Sequence, residues 1–294
     1  SSGQRQVFTS SGMSAFSRSR VCLCYAYAIV EEGDKNAMEG SGVASRLFGE
    51  LDGARVVDKV HRDCLGILHG VPVPSKHYDV VFDEECQPSM FSVFASIFSG
   101  KSAKDGVNPM RDKVGEVIAD PRLTIHDSPL LTEGFGYTLF DAEGTATDTT
   151  SLILEGKLET MAHNSATASH FGLETTGHAS RGPRSTLGVG LHQMEIAAGP
   201  DDDDSLGAGE YLELTDLTGL HSGANPISGD FSLGASGYLC RDGKRVQPVR
   251  GITVAGNFFQ MLMKIAAIGD TQKWDWQKES LMPAIRFADV AISG

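Results

Sequence analysis

Residues Val21–Val30 form an unbroken apolar run, with Arg18 and Arg20 before it and Glu31-Glu32-Gly33-Asp34 after it. A short apolar run closed by a polar turn predicts a strand buried on both faces. Asp52–His69 changes period. Val57, Val60, Cys64, Ile67 and Leu68 fall on one helical face, and Gly70 marks the stop. Pro72-Val73-Pro74 is extended, because a proline disfavours helix in the residue before it. It leads into a short strand, Tyr78–Phe82. Met90–Phe98 predicts a second helix, with Met90, Val93, Phe94, Ile97 and Phe98 inward and Gly100 as its C-cap. From Thr124 to Gly199 short apolar runs alternate with Gly, Asp, Ser and Thr. Leu152–Leu158 reads as a hairpin turning at Glu155-Gly156. Tyr238–Val249 reads as another, turning at Asp242-Gly243, a dipeptide that tolerates the positive φ of a type I′ turn. Asn257 caps a last predicted helix, Phe258–Ile268, closed by Gly269. Strand and helix mix early and strands dominate later, which predicts an α+β fold. No internal repeat is present.

The bulk numbers narrow the function classes. Of 294 residues, 40% are hydrophobic, enough for a real core, and 34 glycines with 21% charged residues fit a loop-rich globular chain. The formal net charge of −13 disfavours nucleic acid and anionic membrane as direct partners. Five scattered cysteines (Cys22, Cys24, Cys64, Cys86 and Cys240) fit a reduced, cytoplasmic protein. The Val21–Val30 run is about half of a membrane span and sits too far in for a secretory signal. A start at Ser-Ser-Gly with no Met points to a processed, truncated or tag-derived N-terminus.

Candidate chemistry is sparse. Gly100-Lys101-Ser102 imitates the end of a phosphate-binding loop. Ala95 stands where the motif needs its first glycine, and the segment is expected to follow a helix rather than to open one. Cys22 and Cys24 share a strand face and read as a core pair. His163, His170 and His178 offer a three-histidine zinc set only if their segment is helical. Asp201–Asp204 lacks the alternating ligands of a calcium loop and reads as solvated. Asp141 and Glu143 offer an acid–base pair with nothing nearby to tune them.

Leu217–Asn257 differs in kind. Thr218–Gly237 holds five glycines at irregular spacing. Such backbone makes demanding turns, or lets another chain approach closely as the edge or wall of a peptide site.

That stretch also carries a resemblance. His221–Phe231 and Ala255-Gly256-Asn257 are preceded in order by Tyr78–Asp83, Lys113–Ile118, Leu123–Asp127, Phe140–Gly144 and Thr176–Ala179. Together they resemble the PmbA/TldD family in its TldE (PmbA) branch, from about Gln6 to the end. The resemblance implies residues 1–75 as the last part of an N-terminal α/β domain whose upstream portion is absent. Residues 76–294 would be the strand-rich C-terminal domain. It implies one subunit of a heterodimeric metallopeptidase acting on unstructured peptides. The TldD-type partner supplies the zinc, through His-Glu-x-x-x-His and a late cysteine. Here the corresponding segment reads Phe91-Ser92-Val93-Phe94-Ala95-Ser96, and no cysteine follows Gly269. The expectation is a metal-free TldE-like subunit with no catalytic residue and no cofactor of its own. His221, Asn225 and Asp230 are its candidate peptide or partner contacts. Two alternatives stand beside it. One is a self-sufficient hydrolase using the histidine set or the Asp141/Glu143 pair. The other is a homodimeric scaffold or gyrase modulator, the family's older label.

Overall fold

The computed structural model describes residues 1–10 and 12–294. The α+β class holds, around one large mixed sheet of ten strands. Five of them close on themselves. Lys244–Asn257, Asp230–Arg241, Glu210–Thr218, Lys76–Phe82 and Ser280–Ser293 pair in that order, and the first and last pair again through Thr253–Ala255 and Ala291–Ser293. All neighbours in this ring are antiparallel except Glu210–Thr218 with Lys76–Phe82, which run parallel. Closure leaves few open edges for unwanted pairing. The long strand Ser280–Ser293 also leaves the ring. Its first residues pair with Met194–Ile196 and its middle with Ile265–Trp274. Met194–Ile196 continues the sheet through Ile125–Asp127, Thr150–Leu154 and Lys157–Leu158.

The glycine-rich stretch therefore lies inside this ring. Asp230–Arg241 has a hydrogen-bonded strand on each side, and Lys244–Asn257 is partly covered on its outer side through Val71. It forms a wall, not an open edge. Two of its glycines answer to geometry. Gly229 holds φ +83°, with Phe259 against it. At Gly237 a Cβ would stand 2.0 Å from the Glu213 carbonyl oxygen, beside a register shift in both flanking ladders.

Both predicted hairpins form. Glu155 and Gly156 take φ of 50° and 78°, and Asp242 and Gly243 take 48° and 72°. Other expectations need correction. Val21–Val30 is not buried on both faces. Cys22–Glu32 pairs only with Lys35–Ser45, as a two-stranded hairpin. Helix Gly53–Ile67 covers the face of small residues, where the Cys64 thiol donates to the Ala28 carbonyl at 3.2 Å. Leu23, Tyr25, Tyr27 and Ile29 stand exposed on the other face. Cys22 and Cys24 are half-buried, not core. The helix itself starts at an Asp52 cap and buries Val56 where Val57 was expected; Val57 is exposed.

The predicted helix Met90–Phe98 is Cys86–Phe94 followed by a tighter 3₁₀ turn, Ala95–Phe98. Gly100 does not cap it but begins a new short helix, Gly100–Lys104, behind a Ser99 cap. The imitation phosphate loop thus does open a helix. Two of its donors are already taken, Gly100 N by the Ala162 carbonyl and Ser102 N by Ser99 Oγ. The late helix is shorter than expected. Asn257 caps Phe258–Leu262, and Ile265–Trp274, including Gly269, is a strand. Propensity over Phe258–Ile268 yields to a strand pairing with Ser280–Ser293 that buries Ile265, Ala267 and Ile268.

Most buried apolar residues form one continuous core inside and beneath the ring. Its centre is aromatic. Phe94 stacks on Phe258 at 4.4 Å, Phe91 meets Phe258 edge-on at 5.2 Å, and Phe231 approaches Phe94 at 6.5 Å. Among the described residues no helix is long and apolar enough to cross a membrane.

Candidate functional site

A cleft of about 760 Å³ opens where the hairpin and helix of the first seventy residues face the strand ring. Tyr25, Tyr27 and Met38 from the exposed hairpin face make one wall. Tyr25 meets Trp276 at 5.3 Å, and Arg46 donates to the Thr132 and Gly134 carbonyls at 2.7 and 2.6 Å, which ties the hairpin to two loops outside the ring. The first turn of helix Cys86–Phe94 makes the floor, and Glu213, Asp216, Leu217 and Leu220 close the far side. The cleft is aromatic on one side and acidic on the other.

Crowded, half-dry carboxylates hold their protons longer than in water. Burial, then the neighbouring Asp216 and Asp63, push Glu39 up to about 7. Burial, then Asp83 and Asp275, push Glu85 to about 7. Asp83 rises to about 6 through burial, even though the backbone N–H groups of Cys86 and Glu85 bond to it. The Asp201–Asp204 run is not simply solvated. Asp202 caps the short helix Asp203–Gly207, Asp201 accepts from Ile268 N at 2.8 Å, and Asp203 reaches the cleft.

A second constellation lies away from the cleft. Asp127 ends the strand Ile125–Asp127 and is fully buried. Its Oδ2 accepts from His178 Nε2 and from His192 Nδ1, both at 2.8 Å. Its Oδ1 accepts from the backbone N–H groups of His192 and Gln193 at 2.8 and 2.9 Å. Burial pushes this carboxyl up, but the hydrogen bonds and charges of the two imidazoles outweigh it and hold the group at about 2. Its three ligating atoms lie within 4.8 Å of one another, and it is the one such trio among the described residues.

The predicted histidine set does not assemble. His163 is buried with Nδ1 3.2 Å from Thr167 Oγ1, His170 packs on Phe171, and only His178 joins the cluster. Asp141 and Glu143 serve the backbone instead. Asp141 accepts from the N–H groups of Glu143, Thr145 and Ala179, and Glu143 accepts from Ser165 N at the start of helix Ser165–Phe171. Among the predicted contacts, Asn225 Oδ1 accepts from Ile227 N and Ser228 N, and Asp230 accepts from Asn257 Nδ2 at 2.8 Å. Both shape one exposed turn. His221 is exposed on the preceding helical turn, Leu220–Gly223. None of the three lines the cleft.

The position that the sequence resemblance sets against a zinc helix does not fit a metal. Phe91 and Phe94 are sealed in carbon, and Ala95 and Ser96 lie in the 3₁₀ turn.

The closed strand ring, with the cleft and the Phe-lined helix beside it, defines an α+β domain. The model of the PmbA/TldA metallopeptidase C-terminal domain matches residues 75–294, and the chain belongs to the PmbA/TldD family. It is similar to the metalloprotease PmbA of Escherichia coli O157:H7, 32% identical over 193 residues, which cover 65% of this chain and 40% of that one. Two solved structures share the fold at 24% identity, each over 99% of this chain. One is a Thermotoga maritima protein solved as a candidate modulator of a DNA gyrase, with a TM-score of 0.91 over 66% of its length. The other is TldE from Thermococcus kodakarensis, with a TM-score of 0.88 over 67%. The chain thus spans about two thirds or less of these relatives.

Proposed function

We propose that this chain is a TldE-like subunit of a peptidase of the TldD/TldE type. It lacks the family's catalytic zinc site and helps to enclose unstructured peptides for a zinc-bearing, TldD-type partner in the cytoplasm. The observation that carries this reading is the Phe91–Ser96 segment, where Phe91 and Ser96 stand at the two histidine positions of His-Glu-x-x-x-His. Phe91 is instead buried edge-on against Phe258 at 5.2 Å, and Ser96 is exposed on the 3₁₀ turn with a hydroxyl in place of an imidazole. An imidazole at position 91 would have to leave that core to reach a metal.

The cleft supports the peptide part. An extended chain needs a long, open trough with apolar surface and hydrogen-bonding groups, and the Tyr25–Tyr27 wall faces such groups at Asp83–Gln87. His221, exposed and free of internal hydrogen bonds among the described residues, is the proposed partner contact. Asn225 and Asp230 hold the turn that follows it. The −13 charge favours a protein or peptide partner over DNA.

Co-expression with a TldD-type chain of the same organism, followed by size exclusion, tests the pairing. The two chains are expected to co-elute at the mass of a heterodimer, and His221→Ala to weaken that peak. Separate elution under all conditions, with this chain alone cleaving peptides, would favour the self-sufficient hydrolase.

A further inference from the structure

We propose that Asp127, His178 and His192 bind one divalent transition-metal ion of the zinc type, at a site distinct from the family's catalytic position. Two imidazoles and one carboxylate are a donor set that suits zinc. They come from three separate segments: the end of strand Ile125–Asp127, the residue before Ala179–Ser180, and the loop before Met194–Ile196. Their ligating atoms, Asp127 Oδ2, His178 Nε2 and His192 Nδ1, already lie within 4.8 Å of one another. Tetrahedral zinc with bonds of about 2.0–2.1 Å needs donors roughly 3.3 Å apart, so small side-chain rotations complete the site.

The atoms behind these ligands are placed as metal sites require. Asp127 Oδ1 is fixed by the N–H groups of His192 and Gln193. Thr176 Oγ1 stands 2.8 Å from His178 Nδ1 and 3.2 Å from the His163 carbonyl oxygen. His178 can therefore carry its proton on Nδ1 and donate it to Thr176, whose hydroxyl donates onward to His163. That tautomer leaves Nε2 bare, and outer partners of this kind hold metal-bound histidines in one orientation. His192 makes the matching change by moving its proton from Nδ1 to Nε2. Binding then replaces two N–H···O bonds on Asp127 Oδ2 with three metal–ligand bonds.

Access is graded. The Asp127 and His178 side chains are fully buried, whereas that of His192 is 12% exposed. The ion's way in is past His192, the one partly exposed ligand. Bound, it would pin the strand and both loops together without touching the cleft, whose lining includes none of the three residues.

The test uses the whole chain, stripped with chelator, loaded with zinc chloride, desalted and assayed by elemental mass spectrometry. About one zinc per chain is expected in the parent and in His61→Ala, an exposed helix histidine, and roughly tenfold less in His192→Ala. Cobalt should give visible d–d bands in the parent that His192→Ala lacks. Circular dichroism establishes that each variant is folded. Should His192→Ala fail to fold, the parent's melting temperature decides, since zinc is expected to raise it. A folded parent that retains no zinc and shows no melting shift, or uptake unchanged in folded His192→Ala, would overturn the proposal.

Discussion

Phe94 and Asp127 are both fully buried, yet one is set among carbon and the other among ionisable and polar groups. Phe94 is held by stacking on Phe258 and by a surround of aromatic and aliphatic side chains. Asp127 is held by four directed hydrogen bonds on two oxygens. The first region can only pack. The second can exchange protons or a metal without changing its frame. Burial therefore does not mark a functional position in this fold. What the buried atoms can exchange does.

The largest expected effect comes from opening the carbon centre. Phe94→Ala should cost about 3–5 kcal/mol of stability in a denaturant titration, through lost contacts and a residual cavity. It should leave the zinc content of the chain unchanged. Asp127→Ala ranks next, at about 3 kcal/mol, because it strands two histidines and two buried N–H groups. The sign with pH follows from its depressed pKa. The stabilisation is present above the usual carboxylate range and is lost as pH falls from about 4 through about 2. Acid melts of the parent should show that loss, and Asp127→Asn should not.

Smaller effects test the edges of the comparison. Asn257 bonds to Gln260 N, the Ser228 carbonyl and Asp230, so Asn257→Ala should cost about 1 kcal/mol through the lost helix cap. The smallest effect has the opposite sign. Glu39 is pushed up to about 7, so the folded chain holds its proton more tightly than the unfolded one. Stability should rise as pH falls from about 8 towards 5. Glu39→Gln should flatten that slope and gain about 1 kcal/mol at pH 8, after discounting for solvent screening of a half-exposed group. Thermal melts across pH check both.

Local chemistry was readable in the sequence where a turn dictates its residues. Glu155-Gly156 and Asp242-Gly243 turn their hairpins as expected, because positive φ selects a narrow set of residue types. Asn257 caps its helix for a similarly local reason. Features set by distant partners were not readable. Val21–Val30 has the pattern of a doubly buried strand, and only the tertiary fold leaves Tyr25 and Tyr27 facing a cleft. Ile265–Ile268 continues a helical pattern but is claimed by Ser280–Ser293. The Asp127 cluster is the sharpest case. Asp127 and His178 both lie within segments that carry the family resemblance, yet His178 is 51 residues from Asp127 and His192 is 65. No local spacing announces a site assembled over such distances.

The most direct test of the account is peptide cleavage by a zinc-loaded TldD-type partner, measured with and without this chain. The account predicts turnover of an unstructured peptide only when both chains are present, and none from this chain alone even after zinc loading. Full activity of the partner alone, unchanged by adding this chain, would contradict it.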